Sequence, residues 1–383
     1  LLLASLAFYV SWNYKYLPII SISTVGNYLA YLGIMHAYQG RKKLWLTGAV
    51  AFNILLLGYF KYANFFINSV NGLTGGDIHP LDVLLPLGIS FFTFTQIAFL
   101  VDAFHGKVAE TSLWRYALFT TYFPYIVAGP VLDNKDLLPQ FADHRNYSPS
   151  ANNFAVGITL FTFGLAKKVF IADNLVPVIK TAFAADNPDL LHAWLGMFAY
   201  SFQLYFDFSG YSDMAIGVSR MFGFQISFNF DSPYKAASVS EFWQRWHISL
   251  SRFLRNYLYI PLGGNRHGQV ARYRNLMLTM LLGGLWHGAN WTFVIWGGLH
   301  GLYLCLQHGW QSLVGKPSEP AGTMRVIFNR VLTFLVVMIA WCFFRADSVP
   351  AAINVLAGLG GFNGVAPVLD LASWDYWLVG VSA

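Results

Sequence analysis

The chain has 383 residues, of which 56% are hydrophobic and only 11% are charged, and its formal net charge is +6. Soluble domains contain roughly 45–50% apolar and about 25% charged residues, so this composition excludes an ordinary soluble protein and predicts an integral membrane protein. The basic residues lie in short loops and at the ends of apolar segments, which is typical of the cytoplasmic side of membrane proteins and argues against a nucleic-acid partner.

Apolar segments follow one another along the chain, and several are long enough to cross a bilayer, which takes about 20 residues. Glycine or proline interrupts some of them, as at Pro124 and Gly283-Gly284. Such interruptions are tolerated at membrane depth where the backbone lines a cavity or is covered by protein. We therefore predict an all-α, multi-pass bundle of about 9–11 helices, with broken and re-entrant segments around a transmembrane tunnel. The apolar segments lie at residues 1–12, 17–38, 44–70, 83–101, 116–131, 153–183, 193–230, 275–311, 326–344 and 351–368.

Both ends of the sequence lie in apolar runs, residues 1–10 and 374–383, and the first residue is not Met. We expect a single membrane domain over residues 1–383 that is a fragment of a longer chain, with no recognisable signal peptide. No internal repeat is visible, which argues against a transporter built from inverted halves. Cys305 and Cys342 lie in apolar segments, where we expect small buried side chains rather than a disulfide or a metal site.

The distribution of charge predicts which loops face the cytoplasm. Arg41-Lys42-Lys43 form a basic cluster, which is expected to lie inside. Residues 71–82 contain Asp77 and Asp82 but no basic residue, so this loop is expected to lie outside. Residues 235–274 hold seven basic residues and one acidic residue, and are predicted to be cytoplasmic.

Charged residues also occur inside apolar segments. Asp207 and Asp213 either cap broken helix ends, pair with a basic residue or line a polar tunnel, and a structural role is favoured over substrate positioning. Their spacing of six residues puts them on different faces of a helix, which argues against a paired-carboxylate acid and base. Lys167 and Lys168 are interpreted as marking an interface.

Residues 238–257 have the pattern of one amphipathic helix. Ser238 and Glu241 have the spacing of a capping box at its start. Arginines project from the side opposite to an apolar stripe, which is typical of a helix in the membrane interface. His247 lies beside this stripe and can point inward. The stripe consists of Trp243, Trp246, Leu250, Phe253 and Tyr257, and the arginines are Arg245, Arg252 and Arg255.

His287 stands in a segment, residues 275–315, that contains no Asp, Glu, Lys or Arg. An ionisable ring is costly in hydrocarbon, so its presence needs a reason. Either proton transfer or a buried structural hydrogen bond would explain a histidine at this position. His300 follows 13 residues later, about 20 Å along a straight helix and on nearly the opposite face, so the two share a site only if the helix breaks. Metal binding is the weaker interpretation, because no histidine pair has the spacing of a zinc helix.

The sequence resembles the membrane-bound O-acyltransferase family. Within this family it is most similar to the bacterial branch whose members acetylate alginate or alanylate teichoic acid. The resemblance covers about residues 58–301, in order along the chain. The motifs that carry it are Gly58-Tyr-Phe-Lys-Tyr-Ala-Asn64, Leu85-Pro-Leu-Gly-Ile-Ser-Phe-Phe-Thr-Phe94, Ala128-Gly-Pro-Val131, Lys167-Lys-Val-Phe-Ile-Ala-Asp173, residues 203–217, Glu241-Phe-Trp-Gln-Arg-Trp-His-Ile-Ser-Leu-Ser251, Tyr257-Leu-Tyr-Ile-Pro-Leu-Gly-Gly-Asn-Arg266 and Leu281-Leu-Gly-Gly-Leu-Trp-His-Gly-Ala-Asn290.

The resemblance implies a membrane-embedded O-acyltransferase of the bacterial cytoplasmic (inner) membrane with a tunnel through the bilayer. His287 corresponds to the signature histidine of the family, and His247 to a second polar position, so these two are the expected catalytic residues. His287 would act as general base on the acceptor hydroxyl, and His247 would orient the acyl carbonyl or stabilise the oxyanion. His300 matches a further recurrent histidine. The expected substrate-binding residues are His300, Asn290, Asp207, Asp213, Arg245 and Trp286.

The expected donor is a cytoplasmic thioester, acetyl-CoA or an acyl-carrier protein, and no bound cofactor or metal is expected. Arg245 lies on a basic face that either attracts this anionic donor or contacts lipid headgroups. The expected acceptor is an exopolysaccharide hydroxyl, as in alginate, or a periplasmic acetyltransferase partner that completes the transfer. Two alternatives remain open, namely a transporter of acyl groups or polysaccharide without bond chemistry, and a scaffold for periplasmic enzymes.

Overall fold

The computed structural model describes residues 1–109, 111–127, 129–315 and 322–365. The apolar run 374–383, the end of the predicted segment 351–368 and Ala128 lie outside the described residues. The described part is helical and contains no β-strand, which confirms the all-α fold. Its α-helices are α1 (Leu2–Asn13), α2 (Leu17–His36), α3 (Gln39–Leu57), α4 (Ala63–Thr74), α5 (Ile89–Phe104), α6 (Leu113–Thr121), α7 (Phe123–Ile126), α8 (Asn134–Ala142), α9 (Ala151–Ala166), α10 (Val176–Phe183), α11 (Leu190–Met221), α12 (Val239–Arg245), α13 (Ile248–Leu254), α14 (Gly268–His287), α15 (Trp291–Val314), α16 (Thr323–Arg345) and α17 (Val349–Leu359).

Four helical stretches of the described chain are long and apolar enough to cross a bilayer, namely Leu2–His36, Gly40–Thr74, Ala151–Phe183 and Thr323–Arg345. Large apolar side chains on the outer faces of these stretches are exposed; Phe163 of α9, for example, is 65% exposed. Apolar side chains on the outside of a membrane helix face lipid rather than water, so this surface is stable there. The chain is therefore a multi-pass membrane protein.

Short polar side chains determine where many of the helices begin. An Asn, Asp or Ser at the N-cap accepts a hydrogen bond from a backbone N–H of the first turn, which would otherwise lack a partner. This matters more in a membrane, where water is absent and an unpaired N–H is costly. The N-caps of this kind are Ser112, Asp133, Ser150, Asp189, Ser238, Asn290 and Ser348.

Several of the predicted apolar segments are broken, as expected from their glycines and polar residues. A π-helical turn, Gly58–Tyr62, joins α3 to α4, and another, Lys167–Ala172, follows α9. The segment that contains His287 is interrupted at Gly288–Asn290, so that α14 ends at His287 and α15 starts at Trp291. These breaks divide the predicted segments into more helices than the hydropathy pattern indicated.

The prediction of one amphipathic interface helix over residues 238–257 is wrong in its continuity and its surroundings. The capping box is present, because Ser238 Oγ accepts from the N–H of Glu241 at 3.2 Å and Glu241 Oε2 accepts from the N–H of Ala237 at 2.8 Å. The helix then breaks at His247, whose φ is +44°. The extended neighbouring segment replaces the lost helical bonds, since the N–H of Asp231 donates to the carbonyl of Arg245 at 2.9 Å.

The apolar stripe of this region is buried in protein rather than in lipid headgroups. Trp243 and Trp246 of the first half pack into an aromatic core with α15 and α16, and Leu250 and Phe253 of the second half pack against α5 and α14. All four side chains are less than 10% exposed. The two halves of the predicted helix pack against different parts of the core, and His247, at the break between them, lies in the protein interior.

Helices α14 and α15 cross at unusually close range through Gly284 and Gly297. A Cβ atom built on Gly297 would lie 2.3 Å from the carbonyl oxygen of Met280, and one on Gly284 would lie 2.3 Å from that of Phe293. Small residues at a membrane helix crossing let the backbones approach and pack, which drives association where a hydrophobic driving force is absent. This contact fixes the two helices on either side of the break at His287.

Replacing Gly297 with Ala is expected to separate these helices and to destabilise the protein by about 1–3 kcal/mol, the usual cost of overpacking. The measurement is the thermal unfolding midpoint in detergent. Gly298 is the matched control, because a Cβ there would lie 3.5 Å from the nearest atom, a side-chain carbon of Leu281, which is ordinary contact. Equal midpoints for the G297A and G298A variants would contradict the proposed role of the close crossing.

Candidate active site

A cavity of about 300 Å³ lies where α5, the break at His247 and the end of α14 meet. Most of its wall is apolar, and a few polar groups converge on it, which is the usual composition of a small-molecule site. Its aromatic lining includes Phe91, Phe208, Trp246, Trp286, Trp341 and Phe344, and its polar lining includes Lys61, Ser90, His247 and His287.

His287 is the last residue of α14, so the helix break presents its ring at the cavity wall. The ring is held edge-on against Trp296 and Phe344, with centroid distances of 5.1 and 5.2 Å. Neither ring nitrogen has a hydrogen-bond partner among the described residues, although the surrounding polar groups are extensively bonded. A histidine fixed by aromatic packing, with free nitrogens at a cavity, is suited to exchange a proton with a ligand.

His247 reaches the same cavity from the segment predicted to be cytoplasmic. Its side chain is 1% exposed, and its ring centroid lies 6.5 Å from that of His287. The residue has a left-handed backbone conformation, which costs a non-glycine residue about 1–2 kcal/mol. Strained backbone of this kind is concentrated at functional sites, where the surrounding structure holds it in place.

The hydrogen bonds around Asn229 determine the tautomer of His247. Asn229 Oδ1 accepts from the backbone N–H of Ser249 at 3.1 Å and from its hydroxyl at 2.9 Å, and His247 Nδ1 lies 3.2 Å from the same oxygen. Because a backbone N–H can only donate, the amide of Asn229 must present its oxygen here, and His247 must donate from Nδ1. In the neutral ring Nε2 is then an acceptor.

This tautomer disagrees with one part of the expected mechanism. A neutral His247 with the proton on Nδ1 has no N–H left to donate to an oxyanion from Nε2. The ring can accept a hydrogen bond from a hydroxyl or from a protonated partner. The donor that stabilises a developing oxyanion must therefore come from another residue.

His300 lies outside the cavity, one aromatic ring behind His287. The ring of Trp296 separates them, with centroids 5.1 Å from His287 and 4.9 Å from His300. His300 is fully buried, and its Nδ1 accepts a hydrogen bond from Trp243 Nε1 at 3.3 Å. The break after α14 does not bring the two histidines to one site, and His300 instead supports the packing behind His287.

Two of the other expected substrate-binding residues form ion pairs away from the cavity. Asp213 Oδ2 lies 2.5 Å from Lys167 Nζ, and Asp207 Oδ1 lies 2.6 Å from Lys168 Nζ. The lysines come from the π-helical turn after α9, and the carboxylates come from α11. Among the roles considered for the carboxylates, the structure shows pairing with basic residues.

Arg245 and Asn290 also form hydrogen bonds away from the cavity lining, and their expected role at the substrate stays a prediction. Arg245 bonds to Glu241 Oε1 at 2.9 Å and to Asp231 Oδ2 at 3.1 Å. Asn290 Oδ1 caps α15 by accepting from the N–H of Thr292 at 3.1 Å, and its amide donates to the carbonyl of Asp347 at 3.0 Å. Of the six expected substrate-binding residues, Trp286 is the one that lines the cavity.

Lys61 is a polar cavity residue that was not among the residues predicted from the sequence. It belongs to the π-helical turn between α3 and α4, and its ammonium donates to Ser90 Oγ at 2.9 Å and to the backbone carbonyl of Trp286. A signal was present, because Lys61 is the one charged residue in the apolar segment 44–70. A lone lysine inside a membrane segment is a candidate functional residue in the same way as His287.

No group of three His, Cys, Asp or Glu side chains within the described residues is placed to hold a metal ion. Both cysteines are free thiols, and Cys342 is buried.

The sequence profile of the membrane-bound O-acyltransferase family matches residues 99–346. The chain belongs to this family. The match extends beyond residue 301, the expected end of the family core, and begins after the motifs at 58–64 and 85–94. His247, His287 and His300 all lie inside it.

Several curated relatives align with almost the whole chain, and others align with about two thirds of it. The peptidoglycan O-acetyltransferase of Helicobacter pylori is 43% identical over 96% of this chain and 74% of its own length. A Pseudomonas aeruginosa protein named "Probable alginate O-acetylase AlgI" is 45% identical over 95% of this chain and 69% of its own length. The teichoic acid D-alanyltransferase of Streptococcus thermophilus is more distant, 27% identical over 67% of this chain and 68% of its own length.

Proposed function

We propose that this protein is a membrane-embedded O-acetyltransferase that moves an acetyl group from a cytoplasmic thioester, acetyl-CoA, to a hydroxyl acceptor on the outer side of the bacterial inner membrane. The observation that carries the proposal is the pair of histidines at one cavity, with the ring of His287 free to exchange a proton and that of His247 6.5 Å away. The names of the relatives at 43–46% identity favour acetyl over other acyl groups.

His287 takes up one proton and gives it away again within each turnover, so the enzyme ends in its starting protonation state. A ring nitrogen of His287 removes the proton of the acceptor hydroxyl while its oxygen forms a bond to the thioester carbonyl carbon. The tetrahedral intermediate then breaks its carbon–sulfur bond, and the proton on His287 passes to the leaving thiolate. The lone pair on His247 Nε2 accepts a hydrogen bond from a neighbouring hydroxyl of the acceptor, and this contact orients the attacking hydroxyl.

The walls of the cavity support transfer between the two sides of the membrane. Leu85, Pro86 and Gly88 line it and directly follow the acidic loop 71–82, which is predicted to lie outside. His247 lines it from the basic segment 235–274, which is predicted to lie inside. A donor entering from one side and an acceptor entering from the other would meet at His287.

The acceptor is proposed to be a polysaccharide hydroxyl, as the names of the alginate and peptidoglycan relatives suggest, reached directly or through a periplasmic acetyltransferase partner. The cavity itself is too small for a polymer, since about 300 Å³ is at the lower limit for a small-molecule site. Only the acetyl group and the reacting hydroxyl must enter it. This size favours a chain end, an exposed hydroxyl or a partner side chain at the outer rim.

The test is an assay of the purified protein in detergent or liposomes with acetyl-CoA labelled in the acetyl group. We expect release of free CoA, measured with a thiol reagent, and labelled ester on an added polysaccharide or on a periplasmic partner. A transporter or a scaffold would release no CoA above the rate without protein. That outcome, with folded protein confirmed by size-exclusion chromatography, would refute the proposed function.

A further inference from the structure

The helix that presents His287 ends abruptly, and two side chains from another helix complete its last turn. An α-helix leaves its last carbonyls without N–H partners, and inside a membrane these must be satisfied by other groups. The hydroxyl of Tyr62 donates to the carbonyl of Leu285 at 2.8 Å, and the ammonium of Lys61 donates to that of Trp286. Both side chains come from the π-helical turn Gly58–Tyr62.

The position of the ammonium is favourable for a buried charge. The C-terminal end of a helix carries a partial negative charge, which stabilises a cation there. Lys61 Nζ also lies 5.7 Å from the ring centroid of Trp286, within the range of a cation–π contact. Lys61 is therefore held by the helix end, by Ser90 and by an aromatic face, and its charge stays fixed beside His287.

One donor of Lys61 remains for a ligand. An ammonium has three N–H groups, and the hydrogen bonds to Ser90 Oγ and to the Trp286 carbonyl use two of them. Lys61 lines the same cavity as His247 and His287. Among the described residues that line it, Lys61 alone carries a fixed charge.

The chemistry requires such a donor. When a hydroxyl attacks a thioester, negative charge develops on the carbonyl oxygen, and donors already in position supply much of the rate enhancement. His247 cannot fill this role in its neutral form, because its Nδ1 proton is used by Asn229. A cation that is already fixed in the cavity costs no rearrangement when the charge develops.

We propose that Lys61 is a catalytic residue whose third N–H donates to the acyl carbonyl oxygen and stabilises the tetrahedral oxyanion, an inference that rests on the proposed acetyl transfer. The proton removed from the acceptor hydroxyl goes to His287, the negative charge goes to the carbonyl oxygen, and Lys61 stays protonated throughout. When the carbon–sulfur bond breaks, the carbonyl re-forms beside the same ammonium.

The experiment compares Lys61→Gln with Lys61→Arg in the labelled acetyl-CoA assay. Glutamine keeps a polar N–H group, one bond shorter than lysine, but has no charge, so kcat is expected to fall about 10²–10³-fold with little change in KM for acetyl-CoA. Arginine keeps the charge and several donors and is expected to recover most of the lost kcat. Tyr62→Phe, which removes the neighbouring cap alone, is expected to lower the thermal midpoint but to keep kcat within about threefold of wild type.

Two results would overturn the proposal. One is a Lys61→Gln variant with kcat within about threefold of wild type, and the other is a Tyr62→Phe variant that loses as much kcat as Lys61→Gln, since capping alone would then explain both. Thermal midpoints show that each variant is folded, and Lys61→Met is the second uncharged variant should Lys61→Gln be unstable. Failure of the proposed function is separate, because wild-type protein would then release no CoA.

Discussion

Replacing His287 with Gln is expected to lower kcat for acetyl transfer by about 10²–10⁴-fold, the usual contribution of a positioned general base. Glutamine fills a similar volume against Trp296 and Phe344 and can form hydrogen bonds, but it has no basic nitrogen to take the proton of the hydroxyl. The change therefore removes proton transfer and largely preserves packing. The measurement is the rate of CoA release per mole of folded protein.

The matched control is His308→Gln near the C-terminal end of α15, where the partly exposed ring forms a hydrogen bond from Nδ1 to Gln311 at 3.4 Å. This variant carries the same substitution on the helix that follows the break, and it should keep wild-type turnover. A His287→Gln protein with kcat close to that of His308→Gln would remove His287 from the mechanism. Added partner proteins or polysaccharide should not restore the activity of His287→Gln, because the base that takes the proton of their hydroxyl is missing.

The sequence allowed the fold class and the principal histidine to be predicted for physical reasons. A chain with 11% charged residues has no stable soluble form, and the segment 275–315 contains no charge, so a histidine within it is conspicuous. The break beside His287 was also predictable, because Gly288 directly follows it in a segment rich in glycine. These features depend on residues close together in the chain.

The rest of the site depends on contacts between distant residues, which one sequence does not reveal. Lys61 and the Trp286 carbonyl are 225 residues apart, and Asn229 fixes the tautomer of His247 from a segment without regular structure. The amphipathic pattern of residues 238–257 was real, but its period continued smoothly through the break at His247. The periodicity of apolar side chains does not reveal a single residue with a left-handed backbone, although such a residue changes the direction of the chain.

The three ionisable side chains of the cavity lie where regular helix stops. His287 ends α14, His247 separates α12 from α13, and Lys61 belongs to a π-helical turn. Irregular backbone is costly in a membrane unless its polar groups find partners, and here the neighbouring side chains and the segment around Asn229 supply them. The same irregularities bring the side chains of Lys61, His247 and His287 to one cavity. In a bundle of unbroken helices, apolar side chains would occupy this space.

His247→Ala is expected to lower kcat about 10²-fold, because the acceptor loses the Nε2 lone pair that orients it through a neighbouring hydroxyl, and misorientation at a reacting centre costs about this much. The effect should be smaller than that of His287→Gln, since the base remains. His247→Asn is the matched variant, because asparagine tolerates the left-handed backbone and keeps a polar side chain. Its kcat should lie between those of wild type and His247→Ala.

Asn229→Asp tests the tautomer directly. A carboxylate at this position still accepts from His247 Nδ1 and from Ser249, so the proton stays on Nδ1 and Nε2 stays an acceptor. Asn229→Ala removes this constraint and lets the proton move to Nε2, so it should lower kcat about tenfold whereas Asn229→Asp keeps most of it. If a neutral His247 instead served the oxyanion as a donor from Nε2, the order would reverse, because Asn229→Ala would let the proton move to Nε2 and Asn229→Asp would hold the proton of the neutral ring on Nδ1.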